Sequence, residues 1–284
     1  MIHYVKKASG ENEPFSAEKF KRSLKRVGAP SGLREALVKE VLARPDLDTT
    51  YKIYEYAYNR LKEETHSVAA RYSLKSALYE LGPEGFMFER FVGELFKAQD
   101  FSTEVGRIIS GRCVDHEVDV VLEKNHEKSM VECKFHNRRG LKTDVKVALY
   151  VKARYVDLAE YSSPSAGKAF TSIWLVTNTQ FTTQAIQYGL CAGVRLLGWA
   201  YPEIENIAYL IDTHGLHPVT NLTSLTLHQK RQLLSKGILL CKHLLEQPAA
   251  MHEFGFSQLT QQTILEECTI LSAKNQVMQA PEND

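Results

Sequence analysis

Two short runs in which apolar and polar residues alternate constrain the fold of this chain most strongly. They cover residues 117–122 and 129–135. Alternation with a period of two is typical of β-strands, because successive side chains of a strand point to opposite faces of the sheet. The linker at 123–128 is short and polar. The sequence therefore predicts that the two strands pair as a hairpin.

The segments around this hairpin alternate between helices and strands. An amphipathic helix is predicted over residues 86–98, where apolar side chains recur at helical spacing. The other predicted elements are a strand at 103–109, a helix at 144–160, a strand at 172–177, a helix at 182–193 and a strand at 194–197. This order predicts an α/β fold in which a central mixed sheet carries helices on its faces.

Mostly helical segments are predicted on both sides of this core. Residues 1–81 begin with a small strand hairpin and continue as helices, the first of which has Ser16 as its predicted N-cap. The run Gly-Pro-Glu-Gly at 82–85 interrupts the helical pattern, and helices are predicted again at 227–245 and 261–272. The predicted domains are 1–81, 82–215 and a helical region at 216–274, followed by a disordered tail at 275–284.

The overall charge is nearly balanced, with 35 Lys and Arg residues against 34 Asp and Glu residues. A nucleic-acid partner would therefore depend on a local basic surface. The five cysteines are odd in number and scattered, which suits a reducing compartment better than a disulfide framework. The N-terminus lacks the apolar run of a signal peptide, and no run is long enough for a membrane span. We expect a cytoplasmic protein without a membrane partner.

Three charged residues on the predicted hairpin form the main candidate site. Strand alternation places Glu132 and Lys134 on one face, and pairing of the strands brings Asp119 close to them. Two carboxylates supply the hard oxygen ligands that Mg²⁺ binds, and a bound metal polarises phosphate and activates water. A neighbouring lysine can stabilise negative charge in the transition state. The pattern indicates phosphodiester hydrolysis, but a solvated surface hairpin could carry the same spacing.

A zinc site is a second metal hypothesis. Cys113 with His116, and Cys133 with His136, have the spacing of zinc ligands. Alternation sends Cys133 to the face opposite Glu132, so these ligands would have to converge from two sides of the sheet. Cys133 is better explained as a small core residue. His136 shares the face of the candidate site, where it could contact phosphate or water, although a solvated loop histidine is an equal alternative.

Several runs in the middle of the chain share the pattern of one known domain. They are Gly-Phe-Met-Phe-Glu-Arg-Phe-Val at 85–92, His-Glu-Val-Asp-Val at 116–120 and Val-Glu-Cys-Lys at 131–134, and later residues 177–182 and 193–197. With these runs the chain resembles the Mrr-type restriction endonuclease domain of the PD-(D/E)xK superfamily. The resemblance implies Asp119 and Glu132 as metal ligands, Lys134 as the catalytic lysine and Glu89 as an accessory acid. The implied metal is Mg²⁺ or Mn²⁺. Glu132 stands where the Mrr group often has glutamine, which adds a carboxylate.

Basic residues after the hairpin form the local surface that the balanced charge conceals. The predicted contacts with the DNA backbone are His136, Arg138, Arg139, Lys142 and Lys146. For any one of them, a solvated helix face is the simpler explanation.

Three runs in the first 81 residues share the pattern of another known domain. They are Val-Lys-Lys-Ala-Ser-Gly at 5–10, Pro-Phe-Ser-Ala-Glu-Lys-Phe at 14–20 and Val-Ala-Ala-Arg-Tyr at 68–72. With these runs the segment resembles the ATP-cone, the nucleotide-sensing domain of ribonucleotide reductases and their transcriptional regulators. The resemblance implies that Val5, Lys7 and Lys19 bind ATP or dATP, with the lysines near a helix N-terminus that favours anions. Ala8 stands where the family usually has arginine, so a degenerate cone used for docking or dimerisation is the alternative.

Two functions are consistent with these patterns. The first is a Mg²⁺-dependent DNA endonuclease in restriction or repair, regulated by an adenine nucleotide and assembled as a homo-oligomer. The second is a non-catalytic DNA-binding or nucleotide-sensing regulator with the same fold. The presence of both carboxylates and the lysine favours the first, because a site without chemical demand has no need for all three.

Overall fold

The structure is a computed structural model that describes residues 4–8, 10–160 and 169–274. These residues form two compact units. The helical unit combines the chain up to Ala77 with residues 138–140 and 219–271, and the sheet unit contains residues 78–137 and 141–218. The tail at 275–284, predicted to be disordered, lies outside the described residues. In the part of the chain that is described, no helix is both long and apolar enough to cross a bilayer.

The helical unit begins with a small hairpin and four helices, as the sequence predicts. The elements are β1 (Tyr4–Lys6), β2 (Asn12–Pro14), α1 (Ala17–Arg26), α2 (Ser31–Leu42), α3 (Thr50–Glu64) and α4 (His66–Tyr79). The predicted cap of α1 is confirmed, because the Ser16 hydroxyl accepts a hydrogen bond from the Lys19 backbone nitrogen at 3.2 Å. Leu24, Leu37 and Leu61 lie fully buried in the core that these helices share.

The sheet unit alternates helices and strands around one five-stranded sheet. In chain order its elements are α5 (Phe86–Lys97), β3 (Ser102–Ser110), β4 (Asp115–Lys124), β5 (Glu127–Lys134), β6 (Lys142–Thr143), α6 (Val145–Ala159), β7 (Ser172–Thr177), β8 (Gln180–Phe181), α7 (Thr183–Ala192), β9 (Val194–Leu197) and α8 (Ile207–His214). The sheet order is β3-β4-β5-β7-β9. The first three strands are antiparallel and the last three are parallel, so the predicted central mixed sheet is confirmed.

The predicted hairpin is present as β4 and β5, and its turn is shorter than the polar linker suggested. Lys124 pairs with Glu127, which leaves a two-residue loop of Asn125 and His126. Both residues have positive φ, at 51° and 69°. Two-residue loops with positive φ fit the right-handed twist of paired strands, so they extend the ladder into the predicted linker.

Helices cover both faces of the sheet. On one face α5 packs through Phe88 against Phe135, with ring centroids 5.7 Å apart, and through Phe96 against Trp174 at 5.2 Å. On the other face Val151 of α6 shares a buried cluster with residues of the strands. The pair β6 and β8, each two residues long, was not predicted, because a two-residue strand is too short for an alternation pattern to be detected.

The C-terminal helices depart from the prediction at one point. They are α9 (Leu227–Ser235), α10 (Cys241–Glu246) and α11 (Gln258–Ser272). A single helix over 227–245 is wrong, because the chain leaves the helical conformation at Gly237, which has a φ of 84°. Residues 219–271 belong to the helical unit. In the segment before α9, Asn221 donates to the Ala70 carbonyl of α4 at 2.6 Å, and the Thr223 carbonyl accepts from Lys62 of α3 at 2.9 Å.

Candidate active site

The strand ends of β4 and β5 bring the predicted carboxylates together. The ladder between these strands reaches Val120 and Val131, and Asp119 and Glu132 are the next residue on each strand. Asp119 Oδ2 accepts a hydrogen bond from the backbone nitrogen of Cys133 at 2.7 Å, which fixes its carboxylate against β5. The spacing of the sequence therefore predicted correctly that Asp119 lies beside β5 at Glu132.

Glu132 and Lys134 keep the predicted alternation. The register of β5 with β7 is unbroken from Ser129 to Lys134, so these two side chains point to the same face. Glu132 is partly buried, whereas Lys134 is exposed at the end of the strand. The charge of Lys134 is among the influences that lower the pKa of Glu132. The lysine therefore acts electrostatically on the carboxylate beside it.

Burial and mutual repulsion raise the pKa of three carboxylates in this region. Burial, followed by the charge of Asp119, raises the pKa of Glu132 to about 7. Burial, followed by the charges of Asp119 and Glu117, raises the pKa of Glu89 to about 7. Burial also raises the pKa of Asp119, although its hydrogen bond from Cys133 opposes this rise. Asp119 therefore lies within electrostatic reach of both glutamates, one on α5 and one on β5.

An arginine that the sequence analysis missed lies beside these carboxylates. Arg154 of α6 donates one hydrogen bond from Nη1 to Glu132 Oε2 and another from Nη2 to the backbone oxygen of Glu117. Its side chain is 10% exposed, and its guanidinium carbon lies 5.5 Å from the ring centroid of Tyr150. The only sequence signal for Arg154 is its position just beyond the basic run that ends at Lys152, and nothing in that run points to Glu132.

The carboxylates have the right chemistry for a hard divalent cation. Their oxygens are the ligands that Mg²⁺ and Mn²⁺ bind, and a cation would relieve the repulsion that raises their pKa values. Among the described residues, however, no group of three His, Cys, Asp or Glu side chains is arranged closely enough to hold a metal ion. The donor set fits the metal in type, and Glu132 is engaged by Arg154.

A cleft opens beside Glu132 and Lys134. Its volume is about 340 Å³, and it is lined by Pro83, Gly85, Glu132, Cys133, Lys134, Phe135, His136 and Asn137. Gly85 is close to the accessory acid, because a methyl group at this position would lie 3.3 Å from Glu89 Oε1. The cleft therefore opens directly onto the end of the strand that carries the predicted trio.

A buried polar network fixes the chain that follows Lys134. Asn178 accepts from the His136 backbone nitrogen and donates to the His136 carbonyl, both at 2.9 Å. His136 Nε2 lies 3.0 Å from the Thr143 hydroxyl, which donates to Thr177. Thr177 in turn donates to the backbone oxygen of Lys134 at 2.8 Å. Burial, followed by the charge of Lys134, lowers the pKa of His136, which favours the neutral imidazole.

The zinc hypothesis gains no support from the geometry. Asp157 engages one of its cysteine and histidine pairs, since Oδ1 accepts from the Cys113 backbone nitrogen at 2.9 Å and Oδ2 lies 2.8 Å from His116 Nε2. Cys133 instead contacts Asp119 through its backbone. In the described chain these cysteines and histidines form no cluster of metal ligands.

Comparison with known proteins shows the family to which the chain belongs. Residues 217–272 match the family model described as AF1548-like, C-terminal. A protein of Archaeoglobus fulgidus, described only as uncharacterized, is 35% identical over 167 residues, which are 58% of this chain and 91% of that protein. The crystal structure of AF1548, a protein of unknown function, is 33% identical with a TM-score of 0.54, and it covers 66% of this chain and 97% of its own. The chain belongs to the AF1548-like family.

The site of this AF1548-like protein lies within a second match. Residues 82–199 match the restriction endonuclease model named Mrr_cat, so the predicted Mrr-like domain is confirmed. Glu89, Asp119, Glu132 and Lys134 all fall inside it. The MspJI restriction endonuclease bound to a 27-mer oligonucleotide also overlaps, at 16% identity and a TM-score of 0.34, covering 50% of this chain and 31% of its own. That overlap is too low to support a functional conclusion.

The predicted DNA contacts are placed in different surroundings. Lys142 and Lys146 are exposed in the sheet unit, where His136 is half-buried in the polar network. Arg138 and Arg139 are also exposed, but both belong to the helical unit. There Arg139 donates to the Ser76 hydroxyl at 2.8 Å and lies over the rings of two tyrosines of α3. These contacts explain the position of the Arg139 guanidinium by packing, without a nucleic-acid ligand.

The predicted nucleotide-binding residues lie together on the first hairpin and helix of the helical unit. Lys7 bonds to Glu13, with Nζ 2.6 Å from the carboxylate. Lys7 and Lys19 both lower the pKa of Glu13, so the two lysines lie near the same group. Val5 is 3% exposed and contributes its side chain to the core. The two family matches, to residues 82–199 and 217–272, do not include this segment, so the ATP-cone stays a prediction.

Proposed function

We propose that this chain is a metal-dependent DNA endonuclease that hydrolyses phosphodiester bonds. One observation carries the proposal. Within the region of the Mrr-like match, Asp119 lies within electrostatic reach of both Glu89 and Glu132, beside Lys134 and an open cleft. Such a concentration of partly buried negative charge costs free energy, and a cation ligand would offset that cost.

Asp119 and Glu132 are the residues that would hold Mg²⁺ or Mn²⁺. The metal, when bound, polarises the scissile phosphate and lowers the pKa of a coordinated water. Lys134 would place its ammonium beside the reacting phosphate and stabilise the developing negative charge. Burial, followed by the charges of Asp119 and Glu117, raises the pKa of Glu89 to about 7, so its carboxyl can hold a proton in the range where hydrolysis is measured.

DNA would reach the site through the exposed basic residues that follow β5. Lys142 and Lys146 are exposed cationic groups of the sheet unit, and phosphate contacts of this kind position the duplex without reading its sequence. Binding that depends on them should weaken as salt rises, because counterions are released from the DNA.

Cleavage of supercoiled plasmid with Mg²⁺ tests the proposal. We expect nicking or linearisation by the wild type and a loss of at least about a hundredfold in Asp119→Ala and Lys134→Ala, which corresponds to about 2.7 kcal/mol of transition-state stabilisation. Glu123→Gln is the matched control, since this exposed carboxylate lies at the far end of β4 and should have wild-type activity. Equal activity in the wild type and both site variants would remove the trio from the mechanism.

A non-catalytic DNA-binding protein is the second candidate. It is favoured by the absence of a three-ligand metal group among the described residues and by the ion pair between Arg154 and Glu132. In that case Lys134→Ala would reduce DNA affinity in a gel-shift assay, and no divalent cation would produce cleavage by the wild type. The plasmid assay and the gel shift together separate the two functions.

We further propose that the first hairpin and α1 bind an adenine nucleotide as a degenerate ATP-cone. Support comes from the proximity of Lys7 and Lys19 to one another, although Glu13 between them opposes an anion. Calorimetric titration with ATP and dATP tests this, with Lys7→Met and Lys19→Met expected to weaken binding. Lys21→Met is the control, because Lys21 is paired with Glu35. No heat of binding at millimolar nucleotide would leave this segment a structural module.

A further inference from the structure

Arg154 is the most tightly held cation beside the candidate site. It forms hydrogen bonds with both the Glu132 carboxylate and the Glu117 backbone, and its guanidinium faces the Tyr150 ring. Only 10% of its side chain and 18% of the Glu132 side chain are exposed. A pair buried to this extent is not a solvated surface contact, because both charges have lost most of their water.

Arg154 supplies positive charge where a divalent cation would also supply it. Asp119 adds negative charge beside Glu132, and the two positive charges acting on Glu132 are those of Arg154 and Lys134. Arg154 also acts on Asp119, where its charge opposes the effect of burial. The guanidinium therefore offsets part of the negative charge of both residues that would bind the metal.

Arg154 and a metal ion would use the same carboxylate. Nη1 engages Oε2 of Glu132, and the second contact of the guanidinium keeps it on the side of α6. Among the described residues no group of three His, Cys, Asp or Glu side chains could hold a metal ion. A metal ion bound by Oε2 of Glu132 would therefore compete with the guanidinium for this oxygen.

We infer that Arg154 is an internal counter-ion that a divalent cation must displace from Glu132 before the site is loaded. The inference rests on the proposed function, since it takes Asp119 and Glu132 as the metal ligands. Its consequence is that the wild-type protein binds metal more weakly than its carboxylates alone would allow. Removal of the guanidinium should therefore strengthen metal binding, whereas removal of a positioning residue would weaken it.

Calorimetric titration of the full chain with Mn²⁺, without DNA, measures this directly. We expect Arg154→Met to lower the Kd for Mn²⁺ by at least about tenfold, equivalent to about 1.4 kcal/mol. Arg154→Lys keeps a positive charge, so its Kd for Mn²⁺ should remain within about threefold of the wild-type value. Lys152→Met is the matched control, because it removes one positive charge from the same helix without a contact to Glu132.

The double variant Glu132→Gln with Arg154→Met shows whether the gain depends on Glu132. We expect the tenfold gain to disappear in it, since the amide is a poor ligand in either background. Circular dichroism confirms that each variant is folded. If Arg154→Met unfolds, Arg154→Gln replaces it, because it also removes the positive charge and should also lower the Kd for Mn²⁺. Mn²⁺ affinity that is unchanged or weaker in Arg154→Met would overturn the inference while leaving the metal site in place. No Mn²⁺ binding at millimolar concentration in any variant would overturn the proposed function and the inference with it.

Discussion

Replacement of Glu89 by glutamine should stabilise the folded protein at alkaline pH and leave its stability unchanged in acid. Burial and the charges of Asp119 and Glu117 raise the pKa of Glu89 to about 7 in the folded protein. An acid whose pKa is raised by folding destabilises the fold whenever it is ionised. Glutamine has the same shape without the charge, so it removes this cost.

The size of the effect follows from the two pKa values. The rise from 4.5 to about 7 corresponds to about 3 kcal/mol, at about 1.4 kcal/mol for each pKa unit. Glu89 is only partly buried, and solvent screening reduces the expected gain to about 1–2 kcal/mol. The gain is absent below pH 4.5, where the carboxyl is protonated in both states, and it grows as the pH rises towards 7.

Urea denaturation in EDTA at pH 4 and pH 8 measures this difference. Linear extrapolation gives the free energy of unfolding of the wild type and of Glu89→Gln at each pH. Glu84→Gln is the control, because Glu84 is exposed just before α5, and it should change the free energy by less than about 0.5 kcal/mol. A gain of equal size at both pH values would refute the electrostatic reasoning, since only packing or hydrogen bonding would then remain as the cause.

Three other substitutions test structural roles. Asn178→Ala should reduce the free energy of unfolding by about 2–4 kcal/mol in urea denaturation, because it breaks two buried hydrogen bonds to His136. Asp157→Asn should weaken the acid dependence of stability between pH 4 and pH 2. The hydrogen bond from His116 is the main cause that lowers the pKa of Asp157 from 3.8 to about 2, and the stability it contributes is lost as the pH falls through this range. Arg139→Ala should cost about 1–2 kcal/mol in thermal unfolding and change DNA affinity little, because its guanidinium is packed on two tyrosines.

Each of these substitutions has a neighbouring control. Asn137→Ala changes an exposed asparagine, Glu160→Gln changes an exposed acid near Asp157, and Arg138→Ala changes an exposed arginine. A loss of stability in Asn137→Ala as large as that in Asn178→Ala would contradict the role of the amide contacts. Equal acid sensitivity of Asp157→Asn and the wild type would contradict the role of the His116 pair. A larger loss of DNA affinity in Arg139→Ala than in Arg138→Ala would show that the arginine serves DNA rather than packing.

Local sequence patterns were sufficient to predict the order of strands and helices in the sheet unit. Strand alternation and polar linkers depend on residues close in the chain, and these patterns predicted β7 and β9 with their observed bounds. The same local rule placed Glu132 and Lys134 on one face. Pairing across a short linker is also local in sequence, and for this reason Asp119 could be placed beside Glu132.

Contacts between residues far apart in the sequence depend on the packing of the folded chain. Arg154 reaches Glu132 across 22 residues of sequence, and Asn221 bonds to Ala70 across 151 residues, so no periodic pattern could indicate either contact. The raised pKa of Glu89 depends on burial of α5 against the sheet and on charges from β4. Alternation and capping are properties of neighbouring residues, whereas ion pairing and burial depend on the packing of the whole chain. The sequence therefore predicted the carboxylates and the lysine of the site, whereas the contact of Arg154 with Glu132 was found only in the folded structure.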